Sequence, residues 1–265
     1  MKIFYAASSF SHLENFHLPY LRALRAAGHT VLTVAPGDRA DLPLPIVKKM
    51  FSGQNRAARR LFADAVRREK PDVILVNTTL AAFHIRLALP RKERPRVVNF
   101  VHGYLFGERR RSPKEQIFLF CERLLCGKTD AVLTMNAEDT RLAVRYRLAP
   151  SVTEVPGMGV PVRLPAHTRE EVRAGLSAPE STFVLLFAGE LSDRKNQKSL
   201  IAALPALLSH GIPAELWLAG DGDRKEELKT LTETLGVAPR VKFLGKRTDV
   251  PDLLSAADLY VSMSR

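Results

Sequence analysis

Short apolar runs alternate with stretches of helical period along the whole chain. Lys2–Ala6, Thr30–Ala35, Asp72–Val76, Val97–Val101, Asp130–Thr134 and Ser151–Val155 have the length and composition of strands buried on both faces. After the first, Leu13, Phe16, Tyr20, Leu21 and Leu24 recur at helical spacing. Ser11 reads as the cap of that helix, with Glu14 completing a capping box and Gly28 closing it. A strand–helix–strand opening predicts a parallel sheet with right-handed crossovers. Gln54–Lys70 reads as a basic helix, Leu61 and Ala65 inward and Arg56, Arg59, Arg60, Arg67 and Arg68 outward. Leu80–Leu89 reads as a helix, Pro113 opens one that runs to Gly127, and Asn136 caps another with Asp139 at its third position.

The stretch 156–165 is dense in proline and glycine, the composition of a linker. It divides the chain into domains at 1–163 and 164–265, and the strand–helix pattern then restarts. Phe183–Phe187, Glu215–Ala219, Val241–Leu244 and Leu259–Ser262 read as strands. Ser199–Ser209 reads as a helix that Pro205 should kink or shorten. Asp249–Ala256 reads as a short helix. A doubly wound domain would cover its last strand with a helix, so an incomplete second domain is expected.

Composition narrows the class. The 265 residues are 46% hydrophobic and 26% charged, as in a soluble globular chain. No apolar run reaches the roughly 18 residues of a membrane span, and the N-terminus lacks a signal-peptide pattern. Cys121 and Cys126, five apart on one predicted helix, point in different directions, which argues against a disulfide or metal pair. The net charge of +12 is uneven: +13 over residues 1–165 and −1 over 166–265. The first half therefore suits an anionic partner, a lipid surface or nucleic acid, or simply a basic soluble surface. No helix-turn-helix, zinc pair or aromatic RNA motif is legible, which ranks nucleic acid last.

Candidate chemistry sits at strand ends, where open α/β sheets bind ligands. The loop 7–10, with Ser9, follows the first strand and carries no GxGxxG fingerprint; His12 and His17 lie near it, and a lone histidine packs or caps more often than it reacts. His102–Gly103 follows a buried strand, so a titratable group meets a backbone that can turn sharply. In AGELSDRKNQ at 188–197, Arg194 and Lys195 stand just before a helix, whose free N–H groups already favour an anion. Two cations there would hold a phosphate without a metal; a solvated loop with two surface charges fits the same residues. GDGD at 220–223 is a weak nucleotide-like pattern, since two aspartates would repel phosphate, and reads as a turn and helix start.

In order and spacing, FHLPYLRALRAAGHTV at 16–31, VHG at 101–103, DAVLTMNAED at 130–139, FAGELSDRKNQ at 187–197, LAGDGDRKEEL at 218–228 and the stretch 241–265 resemble family 4 glycosyltransferases of GT-B architecture, of exopolysaccharide or capsule type. The resemblance implies two Rossmann-like domains, the second incomplete. It implies metal-independent, retaining transfer of a sugar from a nucleotide-sugar to a lipid-linked or glycan acceptor, with the acceptor on the first domain and the donor on the second. Lys195, with Gly189, Glu190 and Arg194, matches the donor diphosphate loop; Leu244–Gly245 match the nucleobase position; His102 matches the histidine at the sugar, beside an acceptor side of Ser9, His12 and Gly103. It implies no cofactor, and a cytoplasmic protein peripheral on the inner membrane face.

Two departures stand out. Glu190 replaces the usual arginine, and its carboxylate would have to turn from a diphosphate, toward Arg194 or a sugar hydroxyl. The family's glutamate pair, seven residues apart, has no counterpart in these 265 residues, which predicts a fragment. A GT-B sugar-nucleotide epimerase or an inactive nucleotide-binding remnant is the alternative.

Overall fold

The computed structural model describes residues 1–47, 49–108, 112–159 and 162–264. By internal contacts the chain forms two compact units, residues 1–160 and 161–265.

The first unit is a parallel seven-stranded sheet. Its elements in order are β1 (Lys2–Ala7), α1 (Phe10–Phe16), α2 (Leu18–Ala26), β2 (Thr30–Ala35), β3 (Leu42–Pro43), α3 (Asn55–Glu69), β4 (Val73–Asn77), α4 (Thr79–Ala88), β5 (Arg96–Phe100), α5 (Pro113–Leu125), β6 (Ala131–Thr134), α6 (Ala137–Arg145) and β7 (Ser151–Glu154). The strands lie side by side as β3-β2-β1-β4-β5-β6-β7. The order reverses between β1 and β4, so the carboxyl ends of those strands flank the switch point of the sheet. Alternate side chains of β1 serve opposite faces. Phe4 and Ala6 join α3 and α4 in one core, and Ile3, Tyr5 and Ala7 join α1 and α2 in another. That double coverage is why the strands read as continuous apolar runs.

Four local expectations are corrected. The first helix is two, α1 and α2, meeting at His17, because Pro19 in the first turn of α2 has no N–H to continue the ladder. The cap is Ser9, whose hydroxyl accepts from the His12 N–H at 3.3 Å. Glu14 closes no box there and instead accepts from Arg39 at 2.7 Å. On α3 the buried side chains are Asn55, Ala58, Phe62 and Ala65, with Leu61 51% exposed. Arg59 turns inward and meets His84 Nδ1 at 3.3 Å. Asn136 does cap α6, accepting from the Asp139 N–H at 2.8 Å.

Between α4 and α5 lies an ion pair the sequence did not reveal. Arg86, fully buried, donates to both carboxylate oxygens of Glu122 at 2.6 and 2.9 Å and to Thr129 Oγ1 at 3.2 Å. The fork-on-carboxylate geometry, completed by Thr129, offsets the cost of taking both groups out of water.

The second unit runs α7 (Arg169–Gly175), β8 (Phe183–Ala188), α8 (Gln197–Ser209), β9 (Ala214–Ala219), α9 (Lys225–Thr234), β10 (Val241–Gly245), α10 (Val250–Ala256) and β11 (Leu259–Tyr260). The parallel order is β10-β9-β8-β11, reversing between β8 and β11. Every residue of β9 is buried, Trp217 completely. Pro205 does not shorten α8, which runs through it for 13 residues; Ile201 and Leu204, fully buried against the sheet, hold the helix across the missing hydrogen bond. The last strand is shorter than expected and half exposed, at 50% for Leu259 and 49% for Tyr260.

Candidate functional site

In the second unit the carboxyl ends of β8, β9 and β10 are tied together by main chain. The Gly189 N–H donates to the Ala219 carbonyl at 2.9 Å, the Leu191 N–H to Asp221 at 3.1 Å, and Gly220 bridges Gly245. This contact explains the glycines of GDGD. A Cβ on Gly220 would lie 1.8 Å from the Gly189 carbonyl oxygen, and one on Gly222 would lie 2.2 Å from that of Leu191. Gly245 turns at φ 68°, and Leu244 packs toward Trp217 and Leu253.

The same loop carries the predicted cations. Both the Lys195 and Asn196 N–H groups donate to the Ser192 carbonyl, at 3.0 and 3.1 Å, folding the loop so that Arg194 and Lys195 precede the first turn of α8. Asn196 sits in left-handed conformation, φ 55°, and starts the helix. The nearby acids are largely neutralised by other partners: Asp193 pairs with Arg224, which also holds Glu227 at 2.7 Å, and Asp221 lies 3.6 Å from Lys225. Arg194 and Lys195 form no ion pair among the described residues. The expected repulsion of phosphate by GDGD is thereby reduced. Glu190 is exposed and does not pair with Arg194, and its main-chain carbonyl accepts from Gln197 Nε2 at 2.7 Å.

In the first unit, β5 delivers His102 and then Gly103, at φ 112°. The structure brings His102 against His12 and His17, three imidazole rings with centroids 4.8, 5.2 and 5.0 Å apart. His17 Nε2 stands 3.2 Å from His12 Nε2, and its Nδ1 stands 2.8 Å from the Tyr5 hydroxyl. Phe100 packs on His102, and Phe16 lies beside His12. Burial holds all three rings below the usual histidine range, His17 at about 3 and His102 at about 4, and for these two the neighbouring imidazoles add to it. All three are neutral at neutral pH. His102 Nε2 is buried without a hydrogen-bond partner among the described residues. A neutral ring with an unclaimed nitrogen can accept from or donate to a hydroxyl.

Ser9, placed on the acceptor side by the sequence, has its hydroxyl occupied by capping and by Ser11 Oγ at 3.3 Å. Two residues escaped sequence reading. His17, read as a packing or capping residue near the strand end, is fully buried at the joint of α1 and α2, but its meeting with His102 was not legible. Thr78 at the β1–β4 switch point takes φ 82°, costly for a β-branched residue, and accepts from the Ser8 N–H at 3.1 Å. No sequence signal marks it. Arg109, Arg110 and Arg111, which contribute to the basic charge of the first half, lie outside the described residues.

Comparison with known proteins agrees with this architecture. A family model described as Glycosyltransferase Family 4 matches residues 18–163, and one described as Glycosyl transferases group 1 matches residues 168–265. A Bacillus subtilis (strain 168) protein named as the glycosyltransferase EpsD is 30% identical over 99% of this chain and 72% of its own length. A UDP-Gal:alpha-D-GlcNAc-diphosphoundecaprenol alpha-1,3-galactosyltransferase of Escherichia coli is 24% identical over 74% of this chain and 52% of its own. Among solved structures, Anabaena Alr3699/HepE in complex with UDP-glucose superposes with a TM-score of 0.73 at 23% identity, covering 100% of this chain and 74% of that one. With strand-end glycines, a cation pair before a helix and two parallel α/β units, the chain belongs to the family 4 glycosyltransferases of GT-B fold.

Proposed function

We propose that this glycosyltransferase moves a sugar, with retention of configuration, from a nucleoside-diphosphate sugar to a lipid-linked or saccharide acceptor in bacterial polysaccharide synthesis. The observation that carries the donor half is the 188–197 loop, where Arg194 and Lys195 keep their charge uncommitted at a helix start while Arg224 and Lys225 absorb the nearby acids. Cations and aligned N–H groups stabilise the charge that grows on a nucleoside diphosphate as it leaves, so the diphosphate is held without a metal. Leu244–Gly245 meet the base and Glu190 faces a sugar hydroxyl. In the first unit, neutral His102 contacts the sugar, with Gly103 and His12 on the acceptor side. The relative's name supports a diphosphoundecaprenol-type acceptor and the neighbour's title a UDP-sugar donor. An acceptor of that kind places the protein in the cytoplasm, peripheral on the inner membrane face.

Two measurements test the reading. Incubation with UDP-sugars and a polyprenyl-diphosphate-linked saccharide, with the product's anomeric configuration read by NMR, should give transfer with retention; free epimerised sugar-nucleotide without transfer would instead favour an epimerase. Calorimetry should show Lys195→Ala losing about 1.5–3 kcal/mol of UDP-sugar affinity, the size of a charge-assisted hydrogen bond. Undiminished affinity would remove Lys195 from the site.

A further inference from the structure

The histidine triangle holds more donor capacity than sugar contact uses. His12 comes from α1, His17 from the joint between α1 and α2, and His102 from the end of β5, so three separate elements aim imidazoles at one point. One donor nitrogen from each ring can be chosen so that all three lie within 4.8 Å of one another. The His12 and His17 Nε2 atoms are 3.2 Å apart. Two nitrogens bound to one zinc-sized ion at about 2.0–2.1 Å, at a tetrahedral angle, stand roughly 3.3 Å apart.

A purely hydrogen-bonded core explains only part of this. One proton between His12 and His17 satisfies that pair, yet leaves His102 Nε2 buried and unpartnered. An ion satisfies all three. The surroundings have the features of a metal shell as well. When His17 Nδ1–H donates to the Tyr5 oxygen, 2.8 Å away, the tautomer is fixed and Nε2 is left with its lone pair inward. Phe16, Tyr20 and Phe100 pack around the rings and lower the local polarity. His12 and His102 are half-buried while His17 is buried, which leaves an ion a way in from their side.

We propose that His12, His17 and His102 form a binding site for one divalent transition-metal ion of the zinc class, with three imidazole ligands and a fourth position for water. Imidazole ligands select zinc, cobalt, nickel or copper over magnesium and calcium, which require oxygen. The site lies wholly within residues 1–160 and does not depend on the transfer reading, since binding is measured without donor or acceptor.

The test is a Co²⁺ titration of the tag-free chain, followed by visible d–d absorption, with Zn²⁺ as competitor. Saturable uptake of one ion per chain, with four-coordinate spectra and displacement by Zn²⁺, is expected. His12→Gln and His17→Gln should each weaken binding by about tenfold or more, while His29→Gln and His210→Gln leave it unchanged. Circular dichroism checks each fold; should His17→Gln not fold, the half-buried His12→Gln decides alone. Absence of saturable binding, equal affinity in His12→Gln, or loss of binding in either distant control overturns the site.

Discussion

At the residue scale the chemistry turns on burial. His12, His17 and His102 are ordinary imidazoles whose proton affinity is reduced because their surroundings disfavour charge. In the unfolded chain each titrates near 6.5; in the native chain His17 and His102 titrate at about 3 and about 4. Between pH 6.5 and about 4 the unfolded state therefore binds more protons. The stabilisation is fully present above the unfolded value and is lost as pH falls, by on the order of 1 kcal/mol per pH unit for each ring. Urea unfolding at pH 7 and pH 5 should show this loss, and His17→Gln should flatten it. Identical pH slopes for the two proteins would contradict it. For His102 the expectation concerns turnover: His102→Ala should reduce transfer far more than it lowers the unfolding midpoint, because its Nε2 bonds no described residue. A collapse of stability with full specific activity in the folded fraction would make the ring structural.

At the element scale, the donor edge is a set of strand ends held by close backbone approach. Gly220 is required twice over, by φ 155° and by the Gly189 carbonyl 1.8 Å from where its Cβ would be. Gly220→Ala must push β8 and β9 loops apart and should cost about 1–3 kcal/mol, as overpacking does. It should also reduce donor affinity, since the displaced loop carries Lys195. Gly127→Ala, with open space and no positive φ, is the matched control. Equal unfolding midpoints for the two variants would show that the loops are not interlocked.

At the scale of the whole molecule, charge is the feature to test. Residues 1–165 carry +13 against −1 for the remainder. Arg56 and Arg60 are exposed on α3, while Arg59 is partly committed to His84. No helix among the described residues is long and apolar enough to cross a membrane. Docking on an anionic leaflet would thus rest on surface charge, about 1 kcal/mol per basic residue near the lipid. Co-sedimentation with vesicles containing anionic lipid should exceed that with neutral vesicles. It should fade between 0.1 and 1 M salt as the Debye length falls from about 10 to about 3 Å. Binding indifferent to lipid charge or salt would leave the charge as a solubility feature.

Local signals were enough for much of the architecture. The apolar runs of β1, β4, β8 and β9 announced parallel sheets because burial on both faces removes polar alternation. Asn136 announced a helix start because capping is a contact between neighbours in sequence. Ser11 misled because Ser9, two residues earlier, can make the same bond, and only the path of the chain out of β1 selects between them. Leu61 misled because helical period fixes which residues share a face, but not which face meets the sheet. Tertiary structure alone decided the rest. His12, His17 and His102 converge across 90 residues of sequence because β1, β4 and β5 are neighbours in the sheet. Arg86 meets Glu122 only because α4 packs on α5. The glycines of GDGD acquire their reason only from a backbone that sequence spacing does not bring near: the Gly189–Leu191 loop pressed against them.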